Sequence, residues 1–200
     1  MSPRRLFLCA AFAAAGIVLA APLLAQTKDV FAFIPVGGRA LLNYIVGSNL
    51  PADEVRSLLT GKHTRDEWLS YLKDHGKTIP ALQKLGDKEL LTLADYLSFN
   101  MPLAAAQVPA DPAKANWAKV LPQDGRDFAL DRCQGCHIIT VVVTQARSKE
   151  AWLGTMHKPS HVRIKLTEAQ REALASYLVI NAGIPIDQVP EELRAGGASY

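Results

Sequence analysis

The sequence predicts an all-α protein built from two tandem helical halves, and three observations support this. Thr64 and Thr167 are each followed three positions later by Glu or Gln, which is the pattern of a capping box at a helix start. Apolar residues then recur at spacings of three and four, as on the buried face of a helix. No convincing alternation of apolar and polar residues predicts a strand, and the β-branched run 138–144 is the one ambiguous segment.

The first 25 residues are predicted to be a secretory signal peptide. Arg4 and Arg5 form a short positive region, residues 6–19 are rich in Ala and Leu, and cleavage is predicted after Ala25. The arginine pair also resembles a twin-arginine signal, so general and twin-arginine export both stay open. Export would place the mature chain in the periplasm, an oxidising compartment. An uncleaved membrane anchor is the rival interpretation.

The composition is that of an ordinary globular protein with room for one or two small domains. Apolar residues make up 49% of the 200 residues and charged residues 20%, which argues against disorder. The formal charge is +3, and the leader carries two of the basic residues, so a nucleic-acid-binding protein is not suggested. Beyond the leader, no apolar run is long enough to cross a membrane.

Residues 26–101 are predicted to form the first helical half. One helix begins after Thr64 and runs through Trp68 and Leu72. Asp87 is predicted to cap a second helix. The apolar face of that second helix has spacings of three and four: Leu90, Leu93, Ala94 and Leu97.

A linker is predicted over residues 102–124. This Ala-rich stretch contains four prolines, which interrupt helices and favour extended chain: Pro102, Pro109, Pro112 and Pro122. The second half, residues 125–200, contains the helix that begins after Thr167 and continues through Tyr177 and Leu178.

An internal repeat relates the two halves. Trp68 recurs as Trp152 after 84 positions, and Gly38-Arg39 recurs as Gly125-Arg126 after 87 positions. A further seven residues each recur after 81 positions: Leu93, Ala94, Tyr96, Leu97, Asn100, Val108 and Pro109. Identities in the same order along both halves predict a duplicated domain with small insertions between the matching blocks.

The strongest chemical pattern of the chain is Cys133-Gln134-Gly135-Cys136-His137. Two thiols three positions apart on a helical turn can add to the two vinyl groups of one haem, and the next histidine can bind the iron. A disulfide, a thioredoxin-type dithiol and a zinc site are the alternatives. The dithiol belongs beside a βαβ pattern, which is not found here, and zinc would need two further ligands.

These residues, with the closing helix that contains Tyr177-Leu178, give residues 125–183 a resemblance to class I c-type cytochromes. The order of Trp152 and Met156 before that helix is similar to the haem subunits that accept electrons from periplasmic dehydrogenases. The resemblance implies two cytochrome c-like domains, one covalent haem c per chain, and an electron-transfer protein rather than an enzyme. It implies an exported dehydrogenase as electron donor, and a cytochrome or terminal oxidase as acceptor.

The resemblance also suggests the iron ligands. His137 is the proximal ligand, and Met156, the only methionine after it, is the first choice for the distal ligand. His161 is the alternative, His157 a weaker one, and Met156 would then only fill space in the core. If no side chain binds the distal side, the protein is an open-site haem enzyme or a gas-binding sensor. Four cations near the distal loop either form a solvated face or attract an acidic partner: Lys149, Lys158, Arg163 and Lys165.

The first half is predicted to hold no covalent haem. When Gly38-Arg39 is aligned with Gly125-Arg126, the two cysteines and the histidine fall on Val46, Asn49 and Leu50. None of these residues offers a thiol or an imidazole. We expect this half to serve as a docking or shielding module, with the protein acting as a free electron shuttle or as a permanent subunit of a complex.

Overall fold

The computed structural model describes residues 29–48 and 50–194 of the chain. The predicted signal peptide with its cleavage point after Ala25 lies outside the described residues, as do Cys9, Asn49 and the last six residues. Within the described ranges, all regular elements are helices and turns, with no strand, so the all-α prediction is confirmed. In the same ranges, no helix has the length and apolar character needed to span a membrane.

The α-helices of the described chain are of unequal length, and the two longest, α5 and α10, each have 14 residues. The helices are α1 (Gly38–Val46), α2 (Ala52–Thr60), α3 (Arg65–His75), α4 (Pro80–Gln83), α5 (Asp87–Asn100), α6 (Trp117–Val120), α7 (Gly125–Phe128), α8 (Thr140–Val143), α9 (Lys149–Met156) and α10 (Glu168–Asn181). Short 3₁₀ turns occupy Ala105–Gln107, Pro112–Lys114, Ile186–Gln188 and Glu191–Leu193.

Both predicted capping boxes are present. The Thr64 hydroxyl accepts the N–H of Glu67, and the Glu67 carboxylate accepts the N–H of Thr64 at 2.7 Å. Thr167 starts α10 in the same way. The helix expected at Asp87 also forms, but Gly86 occupies the N-cap position and Asp87 is the first helical residue. The ambiguous run 138–144 contains the short helix α8.

The buried apolar residues form two clusters, and each cluster includes a segment from the other half of the sequence. Ile34, which precedes α1, is buried in the cluster formed mainly by α7, α9 and α10. Trp117 and Leu121, which precede α7, are buried in the cluster of α1 to α5. Leu103 is buried in that first cluster as well, so residues 102–124 pack against the first core over part of their length.

The two arginines of the repeat anchor these crossing segments. Arg39 Nε donates to the carbonyl of Leu121 at 3.0 Å, and another nitrogen of its guanidinium donates to the carbonyl of Ala118. Arg126 Nη2 donates to the carbonyl of Phe31 at 3.1 Å. Phe31 and Ala118 are 87 positions apart, as are the two arginines. The same contact is therefore made in both directions between the halves.

The two tyrosines of the repeat make a second reciprocal contact. The Tyr96 hydroxyl donates to the carbonyl of Pro122 at 2.9 Å, and the Tyr177 hydroxyl donates to the carbonyl of Pro35 at 2.6 Å. Both prolines precede the first helix of their half and are again 87 positions apart. We call the residues 29–37 and 117–124 the crossing arms, because each precedes the first helix of one half and packs on the other half.

The longest helices, α5 and α10, pack against one another between the two clusters. Ser176 donates to the buried carboxylate of Asp95 at 2.6 Å, and these residues occupy equivalent positions in the repeat. Asn181 Nδ2 donates to the hydroxyl of Thr92 at 3.1 Å. A polar, hydrogen-bonded contact therefore joins the two halves at their centre, where an apolar pair would give no directional specificity.

Candidate cofactor site

The Cys-x-x-Cys-His segment begins where helix α7 widens into a π-helical turn, Ala129–Cys133. Such turns are rare and are often found at functional sites. The N–H groups of Cys136 and His137 then donate to the carbonyl of Cys133 at 3.2 and 3.0 Å. This tight turn presents both sulphur atoms and the imidazole at one end of the cavity described next.

A cavity of about 310 Å³ lies between this turn, α9 and α10. Five of the six residues that the sequence analysis proposes as cofactor or iron ligands line it: Cys133, Cys136, His137, Met156 and His161. Much of the remaining wall is apolar: Val142, Trp152, Ile164, Leu166, Leu174 and Leu178. The tertiary structure thus brings together residues from three separate stretches of sequence around a mostly apolar space.

The two thiols of the motif are free in the described chain, with Cys133 half-buried and Cys136 exposed. Burial raises the pKa of the Cys133 thiol to about 11, with a smaller contribution from the neighbouring Cys136. The nucleophilic cysteine of a redox-active Cys-x-x-Cys pair has a lowered thiol pKa, because the thiolate is the reacting form. The raised pKa of Cys133 therefore argues against Cys133 as the nucleophile of such a pair.

Trp152 lines the cavity, and its buried indole nitrogen, Nε1, has no hydrogen-bond partner. A buried N–H without an acceptor is costly. The equivalent Trp68 Nε1 is also unpartnered, but there the ring of His63 packs edge-on against the indole at 4.7 Å.

Both predicted distal ligands also line the cavity. Met156, the last residue of α9, is buried, and His161 is half-buried in the loop that follows. The rings of His161 and His137 have centroids 5.9 Å apart and planes 23° from parallel. His157 lies outside the cavity lining, where its Nε2 is 3.1 Å from the Glu168 carboxylate. The weaker of the two histidine alternatives is therefore placed away from the site.

Arg171 fastens the loop that carries His161, and the sequence analysis missed it. Its buried guanidinium donates to the carbonyl of Met156 at 2.8 Å and to the carbonyls of Ile164 and Val162 at 3.0 and 3.3 Å. The one available signal was the repeat, which places Leu90 at the equivalent position and so marks residue 171 as a core position. A charged residue at such a position needs polar partners, which here are backbone carbonyls.

Exposed cations surround this loop. Lys158, Arg163 and Lys165 are exposed, and none of them forms an ion pair with a described residue. Lys149 differs from the other predicted cations, because its ammonium group is 2.6 Å from the Glu172 carboxylate. The loop from 157 to 166 contains no acidic residue, so its surface has a positive character.

The corresponding region of the first half has apolar side chains at the positions that match Cys133, His137 and Met156. Val46 is buried at the position that matches Cys133, and Leu72 is fully buried 84 positions before Met156. An open surface groove of about 440 Å³ includes Leu50, the counterpart of His137, but no cysteine or histidine lines it. In the part of the chain that the structure describes, no cluster of three or more His, Cys, Asp or Glu could hold a metal ion by itself.

We compared the chain with models of known protein families, with curated proteins and with solved structures, and none of the three comparisons gave a match.

Proposed function

We propose that this chain is a monohaem c-type cytochrome of the periplasm that transfers single electrons. Its donor is an exported dehydrogenase, and its acceptor is another cytochrome or a terminal oxidase. The observation that carries the proposal is the cavity that Cys133, Cys136, His137, Met156 and His161 line together with mostly apolar walls. Two thiols and an imidazole are the groups that a covalently attached haem requires, and the apolar walls suit a large flat macrocycle.

Different residues of the cavity would hold different parts of a covalently attached haem. Cys133 and Cys136 would form the two thioether bonds, and His137 would bind the iron from one side. Trp152 would contribute its indole ring to the apolar wall around the group. A bound haem supplies one-electron chemistry, since its iron accepts one electron from the donor and passes one electron to the acceptor. A dehydrogenase that removes two electrons from its substrate therefore needs two successive transfers.

The charge around the cavity supports an acidic partner. Lys158, Arg163 and Lys165 lie on the loop beside the cavity, and an exposed cationic surface accelerates encounter with a surface of opposite sign. The same surface serves a free shuttle and a permanent subunit. The partner supplies the substrate chemistry in either case, and the role of this chain is to hold the electron.

The crossing arms support a structural role for the haem-free half. Ile34 belongs to the first half in sequence but is buried in the core that surrounds the cavity. Phe31 and Phe33 pack against the same core, as does Cys133. The first half thus contributes to the packing of the proposed haem site, in addition to any part it plays in docking.

Haem content tests the proposal. The full-length chain is expressed together with a haem-attachment system, and its intact mass and alkaline pyridine spectrum are recorded. We expect one covalent haem per chain, and none in the double variant Cys133→Ala/Cys136→Ala. His157→Ala is the matched histidine control and should keep its haem, because His157 lies outside the cavity. A chain with no haem, or with two, contradicts the monohaem proposal.

Carbon monoxide distinguishes the carrier from the alternative function. A carrier with a protein ligand on each side of the iron has no free position, so the reduced protein should not bind carbon monoxide. Rapid binding to the wild-type protein would favour the open-site haem enzyme or the gas-binding sensor.

A further inference from the structure

We infer that the second protein ligand in the proposed haem site is the imidazole of His161, oriented by Ser160, and that Met156 is a wall residue. This inference rests on the proposed function, because it assigns a role toward a haem attached at Cys133 and Cys136. It replaces the sulphur ligand that the sequence favoured with a second imidazole. Four observations lead to it.

The first observation is the spacing of the two histidine rings. An imidazole nitrogen binds a transition metal at about 2.0–2.1 Å, and the ring centroid lies about 1 Å further, so opposed ligands have centroids roughly 6 Å apart. The centroids of His137 and His161 are 5.9 Å apart. Both side chains line the same cavity, and their ring planes are 23° from parallel. The centroid spacing therefore matches that of two imidazoles that share one ion.

The second observation is the hydrogen bond at the other nitrogen of His161. Its Nδ1 lies 2.9 Å from the Ser160 hydroxyl. A histidine that binds a metal through one nitrogen usually donates the N–H of the other nitrogen to a neighbouring acceptor, which fixes its tautomer and its orientation. The Ser160 oxygen can accept that N–H, and Nε2 is then the nitrogen with a free lone pair. Ser160 also lines the cavity, directly beside the proposed ligand.

The third observation is the rigidity of the loop. The N–H of His161 donates to the carbonyl of Lys158 at 2.8 Å, and the carbonyl of His161 accepts the N–H of Ile164 at 3.0 Å. Arg171 holds the carbonyls of Val162 and Ile164 as well as that of Met156. A ligand on a loop that is hydrogen-bonded on both sides loses little conformational freedom when it binds.

The fourth observation is the place of Met156 in the repeat. Its counterpart is Leu72, which is fully buried in the first core. Met156 itself is 7% exposed and belongs to the apolar cluster around the cavity. The position is therefore a packing position in both halves. A flexible, polarisable Met side chain is well suited to fill an irregular wall.

A second imidazole ligand also affects the reduction potential of the proposed site. A methionine sulphur favours reduced iron and raises the reduction potential, so replacing it by an imidazole lowers that potential. A low-potential site accepts electrons only from a strongly reducing donor. This narrows the donor class to dehydrogenases whose own redox centre has a low potential.

The experiment uses the full-length chain with its haem attached, in the oxidised and reduced states. We expect wild type to lack the weak far-red absorption band of sulphur-to-iron coordination. Met156→Leu should keep the wild-type spectrum and midpoint potential, because it changes only the wall. His161→Ala should give a reduced protein that binds one carbon monoxide per haem, while wild type and the control His157→Ala bind none.

The variant Ser160→Ala tests whether Ser160 orients the His161 imidazole or only packs beside it. The variant should keep its covalent haem and its thermal stability but show a shifted midpoint potential, because only the hydrogen bond to the ligand is removed. A purely structural role for Ser160 would leave the potential unchanged and would overturn its part in the inference.

Other outcomes overturn the ligand assignment, and they differ from failure of the proposed function. A far-red sulphur band in wild type that disappears in Met156→Leu would make Met156 the ligand and leave the cytochrome proposal intact. Carbon monoxide binding by unmodified wild type would show that His161 does not close the site. A chain that takes up no haem under attachment conditions would overturn the proposed function and this inference with it.

Discussion

The carboxylate of Asp124 accepts a hydrogen bond from the backbone N–H of Arg39, 85 positions earlier in the chain, at 2.8 Å. Its other oxygen accepts the N–H of Asp127 at 2.9 Å. Arg39 lies in the first turn of α1 and Asp127 in the first turn of α7, so one buried side chain caps a helix in each half. Gly37, the repeat counterpart of Asp124, leaves room for this, since a Cβ there would lie 2.1 Å from the carboxylate.

Removal of this shared cap should weaken the fold more than removal of an ordinary cap. Loss of one N-cap costs about 0.5–2 kcal/mol, and Asp124→Ala removes two, so we expect a loss of about 1–4 kcal/mol in the free energy of unfolding. Urea denaturation measures it. The control is Asp111→Ala, which removes the exposed cap of a three-residue 3₁₀ turn and should cost less than about 0.5 kcal/mol. Equal losses in the two variants would contradict the double-cap role.

The crossing arm before α1 should stabilise the core around the cavity. Ile34 is 2% exposed, and an Ile→Ala change in a core typically costs about 2–5 kcal/mol. In Ile34→Ala we expect a loss of that size, together with faster amide hydrogen exchange in residues 129–143. Ile186→Ala is the control, because Ile186 is 55% exposed. If the faster exchange were confined to residues 38–100, the arm would not support the second core.

Two glycines allow the first helix of each half to touch the last one. A Cβ at Gly125 would lie 2.2 Å from the Cβ of Tyr177, and a Cβ at Gly38 would lie 2.1 Å from that of Tyr96. Gly125→Ala should therefore cost about 1–3 kcal/mol or more through overpacking. Gly154→Ala is the opposite control, since nothing lies within 4 Å of its added Cβ. It should stabilise α9 by about 0.5–1 kcal/mol. Melting temperatures that fall in both variants would contradict this account.

Asp95 at the contact of α5 and α10 should make stability depend on pH. Burial raises the pKa of Asp95 above its usual 3.8, while the Ser176 hydroxyl, Arg65 and Lys149 partly oppose that rise. The folded protein thus binds this proton more tightly than the unfolded chain. Its contribution to stability is complete below about pH 3.8 and is lost as the pH rises through the raised value.

Asp95→Asn removes this titration while keeping an oxygen that can accept from Ser176. The free energy of unfolding of Asp95→Asn, minus that of wild type, should therefore increase between pH 4 and pH 7. Urea denaturation at the two pH values measures the difference. Asp66→Asn is the control, because it removes an exposed carboxylate away from the contact of α5 and α10, and its difference from wild type should change less than that of Asp95→Asn. A difference for Asp95→Asn that is constant or shrinks with pH would show that burial does not govern this carboxyl.

The helices were predictable because their signals are local. The capping box of Thr64 and Glu67 lies within one helical turn, and the backbone bonds that complete it depend on little else. The same holds for Thr167 and α10. Asp87 was predicted as the N-cap of its helix, but the N-cap is Gly86, one residue earlier. Glycine has no side chain that would mark it as a cap in the sequence.

The cavity was predictable in part. The spacing of Cys133, Cys136 and His137 within five residues marks one wall of the site, and the repeat supplies the helices that frame it. Arg171 was missed because its partners are the backbone carbonyl oxygens of Met156, Val162 and Ile164. Every residue has such a carbonyl, so the sequence does not show which of them accept a hydrogen bond from Arg171. Ser160 was missed because its only signal is its position beside His161.

By itself, therefore, the sequence determined the helical class. It also predicted the duplication and the one segment that we propose attaches a haem. Each of these signals lies within a few helical turns or in the comparison of one half with the other. Only the tertiary structure decided that the arms cross, that Asp124 caps two helices, and that His161 faces His137 across the cavity. Apart from the local bond between Asp124 and Asp127, these contacts join residues from 24 to 142 positions apart. They depend on how whole helices pack, and no local pattern of residue types records that packing.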